Sequence, residues 1–186
     1  MSQRVLVLYA STHGHTAKVA DRIGAALTSH GVQARVRDVH VSGPRIDLSE
    51  FDGVIAGASV HAGHHQNEML TWLGHHHTRL SAMPSAFFSV SLTAADDTDE
   101  ARATTREMID DVLDATGWIP RETVAFAGAL QFEEYNVPTR VLMRLIARHH
   151  DPHAEVRKDT DYTDWAAVDR FAEAFATSLR TTEVPS

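Results

Sequence analysis

Short apolar runs alternate with longer amphipathic stretches along this chain, and the alternation holds as far as Leu130. Arg4-Val5-Leu6-Val7-Leu8-Tyr9 is apolar without interruption, the pattern of a strand buried on both faces of a sheet. Residues 16–30 place Val19, Ile23, Ala26 and Leu27 at helical spacing. Gly31 follows, and glycine suits the position after a helix because it reaches the left-handed conformation without a steric cost. Residues 33–39 alternate as a half-exposed strand, and 53–58 form a third strand. A helix is expected over 68–80, then a fourth strand over 85–90 after Pro84. The next helix, 99–116, turns Ile109, Val112 and Leu113 inward and stops at Gly117; a fifth strand covers 123–129. Between Leu130 and Asp161 the rhythm breaks, which reads as an insertion of about 130–161 before a last helix. Thr163 is the expected N-cap of that helix, whose Val168, Ala172, Phe175 and Leu179 share one face.

Five strands with helices between them predict a single α/β domain over 1–186. Its core is an open five-stranded parallel sheet with right-handed crossovers and helices on both faces. Ligands of such sheets bind beyond the carboxyl ends of the strands, where the strand order switches. Three loops meet there: 10–15, 59–66 and 91–98.

Composition narrows the functions. A formal charge of −8 argues against a nucleic-acid partner, whose phosphates need a basic footprint. With no cysteine there is no disulfide, thiolate nucleophile or Cys-ligated metal. Met1-Ser2-Gln3-Arg4 leads straight into a strand, unlike a signal peptide, so a cytoplasmic protein is expected. No segment approaches the roughly 18 apolar residues of a membrane span, so any membrane contact would be peripheral, at the inner face of the cell membrane.

The 13 histidines include His75, His76 and His77, and a second group, His149, His150 and His153. Consecutive helix positions point about 100° apart, so no metal site is expected from them. Within the insertion, Arg140, Arg144 and Arg148 fall on one helical stripe, with Val141, Leu142, Leu145 and Ile146 on another. Such a helix can lie on an anionic membrane, meet substrate carboxylates over a pocket, or simply pack on the domain with its arginines in water.

The first loop, Ala10-Ser11-Thr12-His13-Gly14-His15-Thr16, carries the clearest chemistry. Backbone N–H groups at a helix N-terminus, backed by the helix dipole, form a site for phosphate, and the hydroxyls of Ser11, Thr12 and Thr16 add donors. There is no Gly-Lys-Ser/Thr ending and no three-glycine dinucleotide pattern. The bland alternative is an ordinary capped βα turn, which serine and threonine also favour.

The string Ser11-Thr12-x-Gly14-x-Thr16 resembles the phosphate loop of flavodoxins, and Asp52-Gly53-Val54-Ile55-x-Gly57-Ala58-Ser59 resembles their third strand. Four further strings recur in order. They are Gly57-Ala58-Ser59-x-x-x-Gly63-His64, Met83-Pro84-Ser85-Ala86-Phe87-x-Ser89-Val90, Ala127-Gly128-Ala129-Leu130 and Tyr162-Thr163-Asp164-Trp165. Together they resemble the menaquinone-dependent protoporphyrinogen oxidases, over nearly the whole chain.

The resemblance implies a flavodoxin-like fold and FMN as cofactor. By position, Ser11, Thr12, His13, Gly14, His15 and Thr16 would hold the FMN phosphate. Ser59, Val60, His61, Ala62, Gly63 and His64, with Ser91, Leu92, Thr93 and Ala94, would flank the isoalloxazine. It further implies protoporphyrinogen IX as electron donor and menaquinone as acceptor, in haem synthesis.

One departure from ordinary flavodoxins stands out: 59–66 and 91–98 contain no aromatic residue except histidine. A flavin stacked less tightly leaves a face open to an organic substrate. His61 or His64 is then a candidate to take up the released proton. The rival readings are a flavodoxin-type electron carrier, an NAD(P)H:quinone reductase and a flavin-binding regulator. A homo-oligomer stays open.

Overall fold

In the computed structural model, residues 2–130 and 160–181 are described. The helix expected to carry Arg140, Arg144 and Arg148 falls outside them, as do His149, His150 and His153.

Five parallel strands form the sheet: β1 (Arg4–Ala10), β2 (Gln33–Asp38), β3 (Gly53–His61), β5 (Ser85–Ser91) and β6 (Glu122–Ala127), in the order β2-β1-β3-β5-β6. A two-residue strand, β4 (His64–His65), folds back on the end of β3, and β7 (Ala129–Leu130) pairs with β8 (Thr160–Asp161) outside the sheet. The helices are α1 (His15–Ser29), the single turn α2 (Val39–Ser42), α3 (Asn67–Ala82), α4 (Asp99–Thr116) and α5 (Trp165–Thr181).

Strand β1 shows why the first run needs no polar alternation. Val5 and Val7 face one core with Val19, Ile23 and Leu27 of α1 and Val168, Phe175 and Leu179 of α5. Leu6 and Leu8 face the other, with Met69, Trp72 and Leu73 of α3, Ile109 and Val112 of α4, and Trp118. Each such side chain, fully buried, contributes about 1.5–3 kcal/mol of transfer free energy. Gly31 and Gly117 sit at φ 81° and 67°, as the helix ends require. Gly57 answers a different need, because a Cβ there would lie 2.2 Å from the Phe88 ring of the neighbouring strand.

Three expectations need correction. The fifth strand stops at Ala127, and Ala129 turns away to pair with Asp161. The segment 59–66 is a β-hairpin rather than a loop: β3 continues to His61 and β4 returns beside it. Thr163 does not cap the last helix. Asp164 does so, its carboxylate accepting from Ala167 N at 3.0 Å and its carbonyl from Val168 N. The Thr163 hydroxyl is drawn to the sheet instead, where it donates to the Ala127 carbonyl.

Candidate functional site

The chain leaves β1 at Ala10 and must reverse into α1 within four residues. Gly14 makes this possible at φ 78°, and its N–H donates to Ser11 Oγ at 2.9 Å. No side chain among the described residues caps α1, and its first turn holds no acidic residue. Thr16 is 1% exposed, and its Oγ1 has no hydrogen-bond partner among the described residues. An uncapped helix N-terminus beside a buried, unpartnered hydroxyl is an arrangement whose chemistry suits an anion.

The hairpin forms the second wall. Ala62 and Gly63 both have positive φ, 51° and 84°, the pattern of a type I′ two-residue turn. This turn sets Val60 opposite His65 and His61 opposite His64. His65 points into the protein, with Nε2 2.9 Å from Ser89 Oγ and its ring 5.5 Å from Phe87. Burial pushes its pKa down to about 4, so it is neutral near pH 7. Gln66 then reaches back, and its amide donates to Thr12 Oγ1 at 2.9 Å and to Ser59 Oγ at 2.5 Å. One side chain thus ties the phosphate loop to the hairpin.

The third wall comes from the end of β5 and the turn after β6. Ser91 Oγ accepts from Ala94 N at 3.2 Å, and the Ser91 carbonyl accepts from Gly128 N at 3.0 Å.

Between the walls lies a cleft of about 440 Å³, within the ~300–1,000 Å³ usual for small-molecule sites. Of the residues expected here, Ser11, Thr12, His13, His15, Thr16, Ser59, Val60, His61, Ala62, Gly63, Ser91, Leu92 and Thr93 line it. Gly14, His64 and Ala94 do not; they shape the turns behind the lining. Within the lining the rings of His13 and His61 meet edge to face, their centroids 5.9 Å apart.

Sequence reasoning missed Val90, Met108, Gly128 and Ala129 in the lining, and Gln66 behind it. Val90, Gly128 and Ala129 belong to strings that carry the family resemblance, which was the available signal; Met108 of α4 offered none. A smaller cavity of about 220 Å³ at the β2 edge, with Arg35, Arg37 and Arg45, shares no residue with this cleft. Among the described residues, no three His, Asp or Glu side chains gather to hold a metal ion.

A five-stranded open sheet with its cleft at the strand ends, and a bare helix N-terminus at one side of it, defines an α/β protein built to hold a phosphate-bearing ligand. The flavodoxin-domain family matches residues 6–156, and the chain belongs to that family. It is similar to the protoporphyrinogen IX dehydrogenase [quinone] of Leishmania major, with 39% identity over 94% of this chain and 75% of that one. The protein of the same name from Escherichia coli strain K12 is 32% identical, over 93% and 94% of the two chains. Among solved structures, flavodoxin 2 of Bacillus cereus superposes with TM-score 0.58 at 19% identity, covering 94% of this chain and 99% of its own. The rubredoxin oxygen:oxidoreductase of Desulfovibrio gigas gives 0.60 at 15%, covering 98% of this chain and 37% of its own. These two bear on the fold alone.

Flavodoxins hold FMN, and the residues present fit it. The uncapped first turn and the unpartnered Thr16 hydroxyl suit a phosphate, and the cleft beside them suits a ring.

Proposed function

We propose that this chain is an FMN-dependent oxidoreductase that takes electrons from protoporphyrinogen IX and passes them to a quinone, a step of haem synthesis. The names of the two curated relatives support the substrate and acceptor. The observation that carries the cofactor is the idle Thr16 hydroxyl at the bare start of α1.

The backbone N–H groups of His15 and Thr16 and the Thr16 hydroxyl would hold the FMN phosphate. Ser11 Oγ accepts from Gly14 N and so shapes the turn, and its own O–H stays free to donate to the phosphate. Ser59 to Gly63, Ser91 to Thr93 and the Gly128–Ala129 pair would flank the ring. Bound FMN supplies reversible two-electron acceptance, and the protein positions and tunes it. His61 is the better of the two proton acceptors named from sequence, because it lines the cleft while His64 does not. No aromatic side chain other than histidine comes from the hairpin or from 91–95, which leaves one ring face open to a bulky donor.

No helix among the described residues is long and apolar enough to cross a membrane. A lipid-soluble acceptor would therefore be met at the bilayer surface, and the stripe of Arg140, Arg144 and Arg148 is our candidate for that contact.

The test is direct. Holoprotein mixed with protoporphyrinogen IX and menaquinone should develop porphyrin fluorescence, while NADPH with menaquinone should not be consumed. Porphyrin formation no faster than without protein would sink the enzyme reading and leave a carrier. FMN should also bind far more tightly than riboflavin, which lacks the phosphate; equal affinities would remove the phosphate site.

A further inference from the structure

The first residue of α1 sends its side chain away from the turn and into a polar relay that ends on another wall of the cleft. His15 is 8% exposed. Its Nε2 lies 2.7 Å from Thr163 Oγ1, and that hydroxyl donates its single proton to the Ala127 carbonyl at 2.8 Å. Towards His15 the hydroxyl oxygen can therefore only accept, so Nε2–H is the donor. Ala127 ends β6, and the next two residues, Gly128 and Ala129, line the cleft.

Asp161 braces the same corner. Its Oδ1 accepts from Thr163 N at 2.9 Å and lies 3.7 Å from His15 Nε2, and its Oδ2 accepts from Trp165 Nε1 at 3.1 Å. The Trp165 ring stands 6.0 Å from the imidazole. Gly128 and Ala129 are fastened from this side too, because Tyr162 N donates to the Gly128 carbonyl and Ala129 pairs with Asp161. Burial holds His15 below its ordinary pKa, with Asp161 partly opposing and Lys18 adding to the effect. Near neutral pH it works as a neutral bridge with one donor.

We propose that His15 is a positioning residue: through Thr163 it sets the Gly128–Ala129 wall against the phosphate loop, and so shapes the ring end of the cleft. The inference rests on the flavin reading above. It separates the His15 side chain from the phosphate, because the bond its Nε2 makes runs to the wall and not into the loop.

The experiment compares affinities for FMN and for riboflavin, by quenching of flavin fluorescence, in the full chain and in His15→Phe, Thr163→Val, Thr163→Ser and the double variant His15→Phe/Thr163→Val. Visible circular dichroism of the bound flavin and melting of the apoprotein are read alongside. His15→Phe and Thr163→Val should each weaken both flavins by the same factor, about five- to ten-fold, the worth of one buried hydrogen bond. The double variant should be no weaker than either single one, since both cut one relay. Thr163→Ser should bind as the parent does, with an unchanged flavin spectrum, while the spectrum of His15→Phe shifts. If His15→Phe fails to fold, the Thr163→Val and Thr163→Ser pair carries the same comparison. A loss confined to FMN would make the His15 imidazole a phosphate ligand and overturn the proposal. Additive losses, or unchanged affinities, would overturn it as well. A parent chain that binds neither flavin would bring down the flavin reading itself, and this inference with it.

Discussion

His65 makes the stability of this protein depend on pH in a calculable way. Its imidazole is 7% exposed and wedged between Phe87 and Ser89. Burial lowers its pKa from 6.5 to about 4. Between those values the unfolded chain carries a proton that the folded chain refuses, so unfolding takes up protons and stability falls as pH falls. Above the unfolded pKa the neutral ring costs nothing. Each pH unit inside the window removes about 1.4 kcal/mol. From pH 7 to pH 5 the loss from this residue alone is about 2 kcal/mol, a large part of the ~5–15 kcal/mol that holds a domain together.

The perturbation is His65→Gln, which keeps a polar group for Ser89 and removes the titration. Urea unfolding of the apoprotein at pH 7, 6 and 5 gives the free energies of both proteins. His15 and His76, whose pKa values burial also lowers, contribute equally to both and cancel in the difference. The parent should lose about 2 kcal/mol more than the variant over this interval. Parallel losses would show that the buried seat of His65 does not resist protonation, and the reasoning would fail.

Three further outcomes follow from the geometry. Gly14→Val puts a β-branched residue at φ 78°, where nothing within 4 Å would clash, so the penalty is backbone strain of about 1–2 kcal/mol. FMN affinity should drop roughly ten-fold, whereas His40→Ala, an exposed change beside Asp38, should leave it intact; fluorescence titration decides. Gly57→Ala drives a methyl into the Phe88 ring and should lower stability by about 1–3 kcal/mol; adding Phe88→Leu should recover part of it, and no change in melting temperature would contradict the packing. Changing Arg140, Arg144 and Arg148 together to glutamine should spare FMN content yet slow turnover with long-chain menaquinone in liposomes more than with a soluble short-chain quinone. Equal rates would retire the membrane contact.

What the sequence made legible follows local rules. β1 declared itself because valines and leucines alternate between two apolar cores, and α1 and α4 declared their ends with Gly31 and Gly117. The turn at Gly14 and the start of α1 were readable because a helix N-terminus is a local object. The hairpin at 59–66 was not, because its turn is Ala62-Gly63 rather than an Asn-Gly or Asp-Gly pair. Thr163 misled for a tertiary reason: Thr163 and Asp164 are both good caps, and the Ala127 carbonyl claims the threonine from 36 residues away. Gln66 reaches Thr12 across 54 residues, and no spacing rule announces such a bond. Met108 enters the cleft only because α4 packs where it does.

The doubled histidine of β4 has a consequence for how this site tolerates changes of chain length. Side chains on a strand alternate between faces, so one extra residue after Gly63, with the two-residue turn kept, moves every position of β4 by one. His64 would then occupy the seat beside Ser89, and an imidazole would still fill it. His65 would stand where Gln66 now stands, and the amide that joins Thr12 to Ser59 would be carried out of reach. Removing one residue instead puts Gln66 itself in the buried seat. Insertions and deletions at this turn are therefore unequal: the core survives the first, and the join between the cleft's two walls survives neither.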